Sequence, residues 1–260
     1  MDDPLARIAA LPSVAEAVES ARAGVDRLLG HRILRRRSAD VSAESALRGA
    51  RASAALSGEE VPLETIRAGD VTTPAVQGAL RLSVEVGQLA DLWAKAPRQV
   101  LARLHVLAAA DAVPADDLGR PRTNPEVTGG SEELAVPPAE LAMRLDGLTG
   151  LLTTPSAAPA LVAGAIVHGE LLALRPFGWG DGLVARAAER LTYIQRGLDP
   201  KSLVAPEVGY AETAGGYEPA LRGYLAGDPE GVAGWVTYCA KAVELGARDS
   251  LAVCEALLRG

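Results

Sequence analysis

The residues best placed to do chemistry fall in one short run, Arg175-Pro176-Phe177-Gly178-Trp179-Gly180-Asp181-Gly182-Leu183. It separates an almost wholly apolar stretch from a second segment of helical periodicity. Successive N–H groups of a glycine-rich turn converge into a concave nest, and the positive end of the helix that follows points into it. Such a loop takes anions, with Gly178, Gly180 and Gly182 as candidate donors and Asp181 as a candidate acid, base or metal ligand. Spacing alone leaves a second reading open, in which the glycines serve only the sterics of a helix junction.

Other reactive side chains read more plainly. His168 interrupts the apolar stretch and stands about 10 Å, two helical turns, from position 175. A core histidine satisfying a hydrogen bond is the better reading there than a replacement base. Glu170 lies five residues before Arg175, and spacing does not decide whether it pairs with Arg186 or a neighbour. His31 and His105 carry no catalytic assignment. Cys239 and Cys254 have no His or Cys near them at metal-ligand spacing, so they read as reduced packing residues, and no metal site is assigned. The basic run Arg35-Arg36-Arg37 reads as a solvated helix end.

The elements that must hold the loop follow from periodicity. Val14, Ala17, Val18, Ala21, Val25 and Leu28 recur at helical spacing. A second helix is expected from the N-cap candidates Ser38, Asp40 and Ser42 through Leu56, ending at Ser57-Gly58 where glycine takes a left-handed turn. Helices are further expected over 74–95, 97–110 and 138–152, with 114–138 as an exposed loop or β-hairpin rich in Pro and Gly. Residues 160–174 are apolar nearly all round, the mark of a central helix, and Pro176 ends it. A helix over 183–197, a loop over 199–216 and helices over 217–225 and 231–258 complete the expectation, an all-α fold.

Composition narrows the class. The chain has 260 residues, 48% hydrophobic and 23% charged, the balance of a packed globular protein. A net charge of −7 argues against a nucleic-acid surface. The acidic start Met-Asp-Asp-Pro is no signal peptide, and no apolar run is long enough to span a bilayer. A cytoplasmic location, with no membrane partner, is the expectation.

The loop also resembles the signature of Fic domains, His-x-Phe-x-x-Gly-Asn-Gly-Arg-x-x-Arg, which aligns without a gap on Arg175 to Arg186. Phe177, Gly180, Gly182 and Arg186 match, whereas Arg175, Asp181 and Leu183 replace the His, the Asn and the first Arg. His168 stands where Fic proteins often have a His. Gly119-Arg120-Pro121-Arg122, Val127-Thr128-Gly129-Gly130 and Val136-Pro137-Pro138 look like the family's flap, the hairpin that holds a target peptide. Ser53-Ala54-Ala55-Leu56-Ser57-Gly58 resembles the inhibitory helix Ser-x-x-x-Glu-Gly, with Ser57 where the Glu would pair with Arg186. Glu59 or Glu60 is a substitute of low weight. Leu104-His105 and the downstream Gly216-Tyr217-Glu218-Pro219 and Gly234-Trp235-Val236 fit the same pattern, so the resemblance spans roughly residues 45–245.

What the resemblance implies is a Fic-type helical domain over 41–260, with a short flap hairpin and an N-terminal helical extension over 1–40. Arg175 and Asp181 hold the catalytic signature positions. Gly178, Gly180, Gly182, Leu183 and Arg186 hold the anion- or nucleotide-binding ones. In the family the His takes a proton from the target's hydroxyl, and a guanidinium cannot. A general base contributes roughly 10²–10⁴-fold, and Leu183 offers phosphates no hydrogen bond. The expectation is therefore a pseudoenzyme or binding module for a protein or anionic ligand, with a protein partner on the flap and a homodimer in keeping with a family that often self-associates. The alternative is a rebuilt site performing a non-standard nucleotidyl or phosphoryl transfer. Mg and ATP enter only if family activity remains.

Overall fold

A computed structural model of the chain describes residues 3–127 and 136–259. In chain order its helices are α1 (Pro4–Ala9), α2 (Val14–Leu29), α3 (Leu34–Ala55), α4 (Leu63–Ala68), α5 (Pro74–Glu85), α6 (Ala90–Trp93), α7 (Pro97–Ala109), α8 (Pro138–Thr153), α9 (Ala160–Leu174), α10 (Asp181–Gln195), α11 (Pro206–Glu212), α12 (Tyr217–Ala226) and α13 (Pro229–Arg259). No strand occurs among the described residues, so the fold is all-α. The expected hairpin tip at 128–130 lies outside them. No described helix is long and apolar enough to cross a membrane.

The organising element is α9. All of it is buried except Ala160, Glu170 and Leu172, as its unbroken apolar pattern requires. Val162, Ala163 and Ile166 face a core shared with α2, α11, α12 and α13. Val167, Leu171 and Leu174 face a second core built with α5, α7, α8 and α10. The loop after α9 is thus anchored from both sides before its own contacts are counted. On the first side α2 packs along α13, and α1 lies against α9.

Several elements depart from the periodicity. Helix α3 begins at Leu34 rather than near residue 40, and Arg37, with φ −128° and ψ 30°, kinks it just where the N-cap candidates sit. The basic run is its exposed first turn, with Arg37 paired to Asp40 at 2.7 Å. The helix expected over 74–95 tightens to a 3-10 turn at Val86–Leu89 before α6. That turn aims Trp93 into the core, where its Nε1–H donates to Thr192 Oγ1 at 3.1 Å. Helices α1, α4 and α11 are six or seven residues long and left no periodic trace. Pieces this short are unstable alone and exist because tertiary packing holds them. The α3 terminus is as expected, with Gly58 left-handed at φ 92°. Cys239 and Cys254 are both buried and unbridged.

Close helix approach constrains one position sharply. A Cβ on Gly78 of α5 would stand 2.1 Å from the Ala108 carbonyl oxygen of α7, and backbone cannot swing aside. Gly78→Ala is expected to lower stability by about 1–3 kcal/mol or more. Gly147→Ala, on the exposed face of α8 with nothing within 4 Å of the new methyl, is expected to raise it by roughly 0.5–1 kcal/mol. Urea melts of both variants check the pair, and equal effects would refute the packing account.

Candidate functional site

Three left-handed residues shape the loop between α9 and α10: Arg175 at φ 44°, Gly178 at 79° and Gly180 at 70°. Arg175 caps α9 in that conformation, which is strained for a residue with a Cβ. Gly180 is the N-cap of α10, so Asp181 is the first residue of the helix rather than part of the loop before it.

Asp181 turns back on the loop. Its Oδ1 accepts the Phe177 amide at 2.9 Å, and the side chain is buried. One donor of the nest is therefore satisfied from inside the molecule. Burial raises the Asp181 pKa from 3.8 to about 7, against the lowering pull of the Phe177 amide and of the Arg175 and Arg122 charges. Its Oδ2 is buried without a hydrogen-bond partner. Arg175 is nearly buried too and lies in the same electrostatic neighbourhood. A permanently protonated guanidinium at that place supplies charge but accepts no proton.

Arg122 ties Asn124 and Val136 to the loop. Its Nε donates to the Arg175 carbonyl at 2.8 Å, Nη1 to the Asn124 carbonyl at 2.9 Å, and Nη2 to the carbonyls of Leu174, at 3.1 Å, and Val136. Its own amide donates to the Pro176 carbonyl at 2.7 Å. A cation on the last carbonyls of α9 also answers the negative end of that helix. Above this clamp His105 stacks on Phe177, with ring centroids 4.1 Å apart and planes 3° from parallel. His105 Nδ1 accepts the Gly119 amide at 2.9 Å. Burial pushes the His105 pKa down to about 4, partly offset by the Trp179 carbonyl, so the ring is neutral at physiological pH.

Arg186 is buried at 2% exposure, and α3 occupies it. Its Nε donates to Ser53 Oγ at 2.8 Å, and Nη2 to the Ser53 carbonyl at 2.8 Å and Ser57 Oγ at 2.9 Å. Nη1 reaches the Tyr217 hydroxyl at 3.5 Å. The two serines flagged in the α3 motif thus meet Arg186, and neither Glu59 nor Glu60 takes Ser57's place among these bonds. A Cβ on Gly182 would lie 3.1 Å from Arg186 Nη1, so the guanidinium lies over the first turn of α10. Leu183, by contrast, packs into the second core at 1% exposure.

Glu170 pairs with Arg144, at 3.0 and 2.9 Å to its two oxygens, and accepts the Tyr224 hydroxyl. Arg186 is not its partner. His168 lies among Tyr210, Tyr217 and Trp235 in the interior, with Nε2 2.6 Å from the Tyr217 hydroxyl. The residues that sequence reasoning overlooked are Arg122, His105 and Tyr217. Only their place in the flap motif, in Leu104-His105 and in the tail motif hints at them, since most of their partners are far along the chain.

Comparisons with known proteins agree on architecture. No protein-family model matches the sequence, and no curated protein matches it. Among solved structures, the chain is similar to a Fic family protein from Desulfovibrio desulfuricans, with a TM-score of 0.73 and 19% identity over 91% of this chain and 74% of that one. It is similar to Fic-1 from C. elegans, with TM-score 0.69 and 18% identity over 93% and 73%. It is also similar to a Fic domain containing signaling protein from Bacteroides thetaiotaomicron, with TM-score 0.66 and 12% identity over 92% and 98%. The chain has the Fic fold.

The two buried titrating groups of the loop act in opposite directions. A neutral His105 contributes stability that is complete above its unfolded value near 6.5 and is lost as pH falls towards 4. Asp181, raised in the folded state, contributes stability that is complete below 3.8 and is lost as pH rises through about 7. Asp181→Asn imitates the protonated acid and keeps the acceptor for Phe177. Its melting temperature is expected to match wild type near pH 3.8 and to exceed it by a margin that grows up to about pH 7, reaching roughly 10 °C near pH 8. Parallel curves across that range would show that Asp181 is not raised.

Proposed function

We propose that this Fic-fold protein acts as a binding module rather than as an AMP transferase. The observation that carries the reading is the internal use of the signature residues. Arg186 is buried and bonded to Ser53 and Ser57, and Asp181 accepts the loop's own Phe177 amide. A triphosphate would have to displace both, and a positioned hydroxyl would meet Arg175 where a base is needed. Fold does not carry activity with it, so the reading rests on these side chains alone.

The partner in this reading is a protein, engaged through the flap. Arg122 holds the described ends of that segment, at Asn124 and Val136, to the end of α9. A target bound beside Asn124 and Val136 would meet backbone already anchored to the interior, which lowers the ordering cost of binding. The second reading, a rebuilt enzyme, is favoured by the Asp181 pKa near 7 and its unpartnered oxygen, the properties of a general acid or base.

Titration calorimetry with MgATP separates the two. The wild-type chain is expected to give no saturable heat, whereas a variant carrying Arg175→His and Asp181→Asn gains binding. Transfer of labelled nucleotide from ATP to any protein by the wild-type chain, abolished by Asp181→Ala, would overturn the binding-module reading in favour of the rebuilt enzyme.

A further inference from the structure

We infer that His168, Glu189 and Cys239 form an interior binding site for a divalent transition metal of the zinc class. Each comes from a different helix: α9, α10 and α13. All three are fully buried, and one nitrogen, one oxygen and one sulfur donor lie within 4.8 Å of one another. Bond lengths of about 2.0–2.3 Å to a tetrahedral zinc place neighbouring donors about 3.3–3.8 Å apart. Donors at the outer limit close by about 1–1.5 Å, and the 3.0 Å pair of His168 Nδ1 and Glu189 Oε2 opens slightly, to complete the set.

The hydrogen bonds around the cluster favour a ligand at its centre. Tyr193 and Tyr210 both donate to Glu189 Oε1, at 2.7 and 2.6 Å, which leaves Oε2 to its own devices. That oxygen lies 3.0 Å from His168 Nδ1 yet receives no hydrogen bond of acceptable geometry. A buried carboxylate oxygen without a donor is costly, and a cation between it and Nδ1 removes the cost. On the far side of the ring, Tyr217 sits 2.6 Å from Nε2. With Nε2–H donating to Tyr217, the Nδ1 lone pair points to the cluster, the arrangement that orients a metal-bound histidine.

The donor chemistry sets the metal. Mixed imidazole, carboxylate and thiolate ligands suit zinc, cobalt or copper and not magnesium or calcium. A carboxylate and a thiolate balance the two charges of the ion, so the filled site is neutral in the core. Binding replaces the thiol proton of Cys239, which leaves to solvent. The Tyr210 hydroxyl lies 3.3 Å from His168 Nδ1 and offers an oxygen lone pair beside the three donors, while its O–H stays on Glu189 Oε1. Such an ion would pin α9, α10 and α13 together directly behind Tyr217, whose hydroxyl touches Arg186.

The site is independent of whether the loop binds nucleotide, and its test involves no nucleotide. The full chain, stripped of metal while unfolded, is refolded with equimolar Co²⁺ and desalted, because a core site admits no ion into the folded state easily. One cobalt per chain is expected, with a thiolate-to-cobalt charge-transfer band in the near ultraviolet. Cys239→Ser, isosteric enough to keep the helical circular dichroism, should abolish that band. Tyr217→Phe keeps all three ligands and should weaken retention roughly 10–100-fold through loss of the outer hydrogen bond. Absence of cobalt after desalting overturns the inference, as does a charge-transfer band that survives Cys239→Ser. In either case the cluster is a hydrogen-bonded core network and nothing more.

Discussion

A guanidinium at 2% exposure sets the terms for everything around it. Moving such a charge out of water costs several kcal/mol unless its donors are satisfied, and Arg186 spends them on Ser53, Ser57 and Tyr217. The acceptors are hydroxyls and a carbonyl, so the charge is solvated by dipoles rather than neutralised. That arrangement fixes the end of α3 against α10 and, through Tyr217, connects to His168 in the interior. The α3 terminus must therefore stop where it does, and the left-handed Gly58 turns the chain away one residue beyond Ser57.

The loop itself obeys a second, related constraint. Its backbone is bent by three left-handed residues, and such a bend exposes polar groups on both sides. Arg122 covers the carbonyl side and Asp181 part of the amide side. Arg122 brings a charge to those carbonyls, whereas Asp181 serves as an acceptor whose carboxyl burial drives towards the neutral form. The result is a junction stabilised from within, with His105 stacked over Phe177 as its lid against α7. Nest, clamp and buried arginine are one structure. Asp181 and Leu183 both suit a loop closed on itself, one by bonding it and the other by filling the core beneath it.

How much of this was legible in the sequence depended on range. Helix α9 was plain, because an apolar pattern on every face has one physical solution, and its end at Arg175-Pro176 is a local backbone rule. The turn at Gly58 was legible for the same reason. The short helices α4 and α11 were not, since six or seven residues carry no period and owe their form to neighbours. The contact of Ser57 with Arg186 spans 129 residues and was visible only through the resemblance to Fic domains. Arg122 offered no signal at all beyond its place in the flap motif, because its partners are carbonyl groups, which every residue has. The cluster of His168, Glu189 and Cys239 escaped for a similar reason: three helices supply one donor each, and no spacing rule spans them.

The central claim is that Arg186 and Asp181 are committed to the protein's own groups and stay so in the presence of nucleotide. A crystal structure of the chain grown with excess MgATP measures this directly. The account predicts Arg186 on Ser53 and Ser57, Asp181 on the Phe177 amide, and no triphosphate at residues 178–182. A nucleotide seated on those glycines, with Arg186 swung from α3 onto its phosphates, would contradict it.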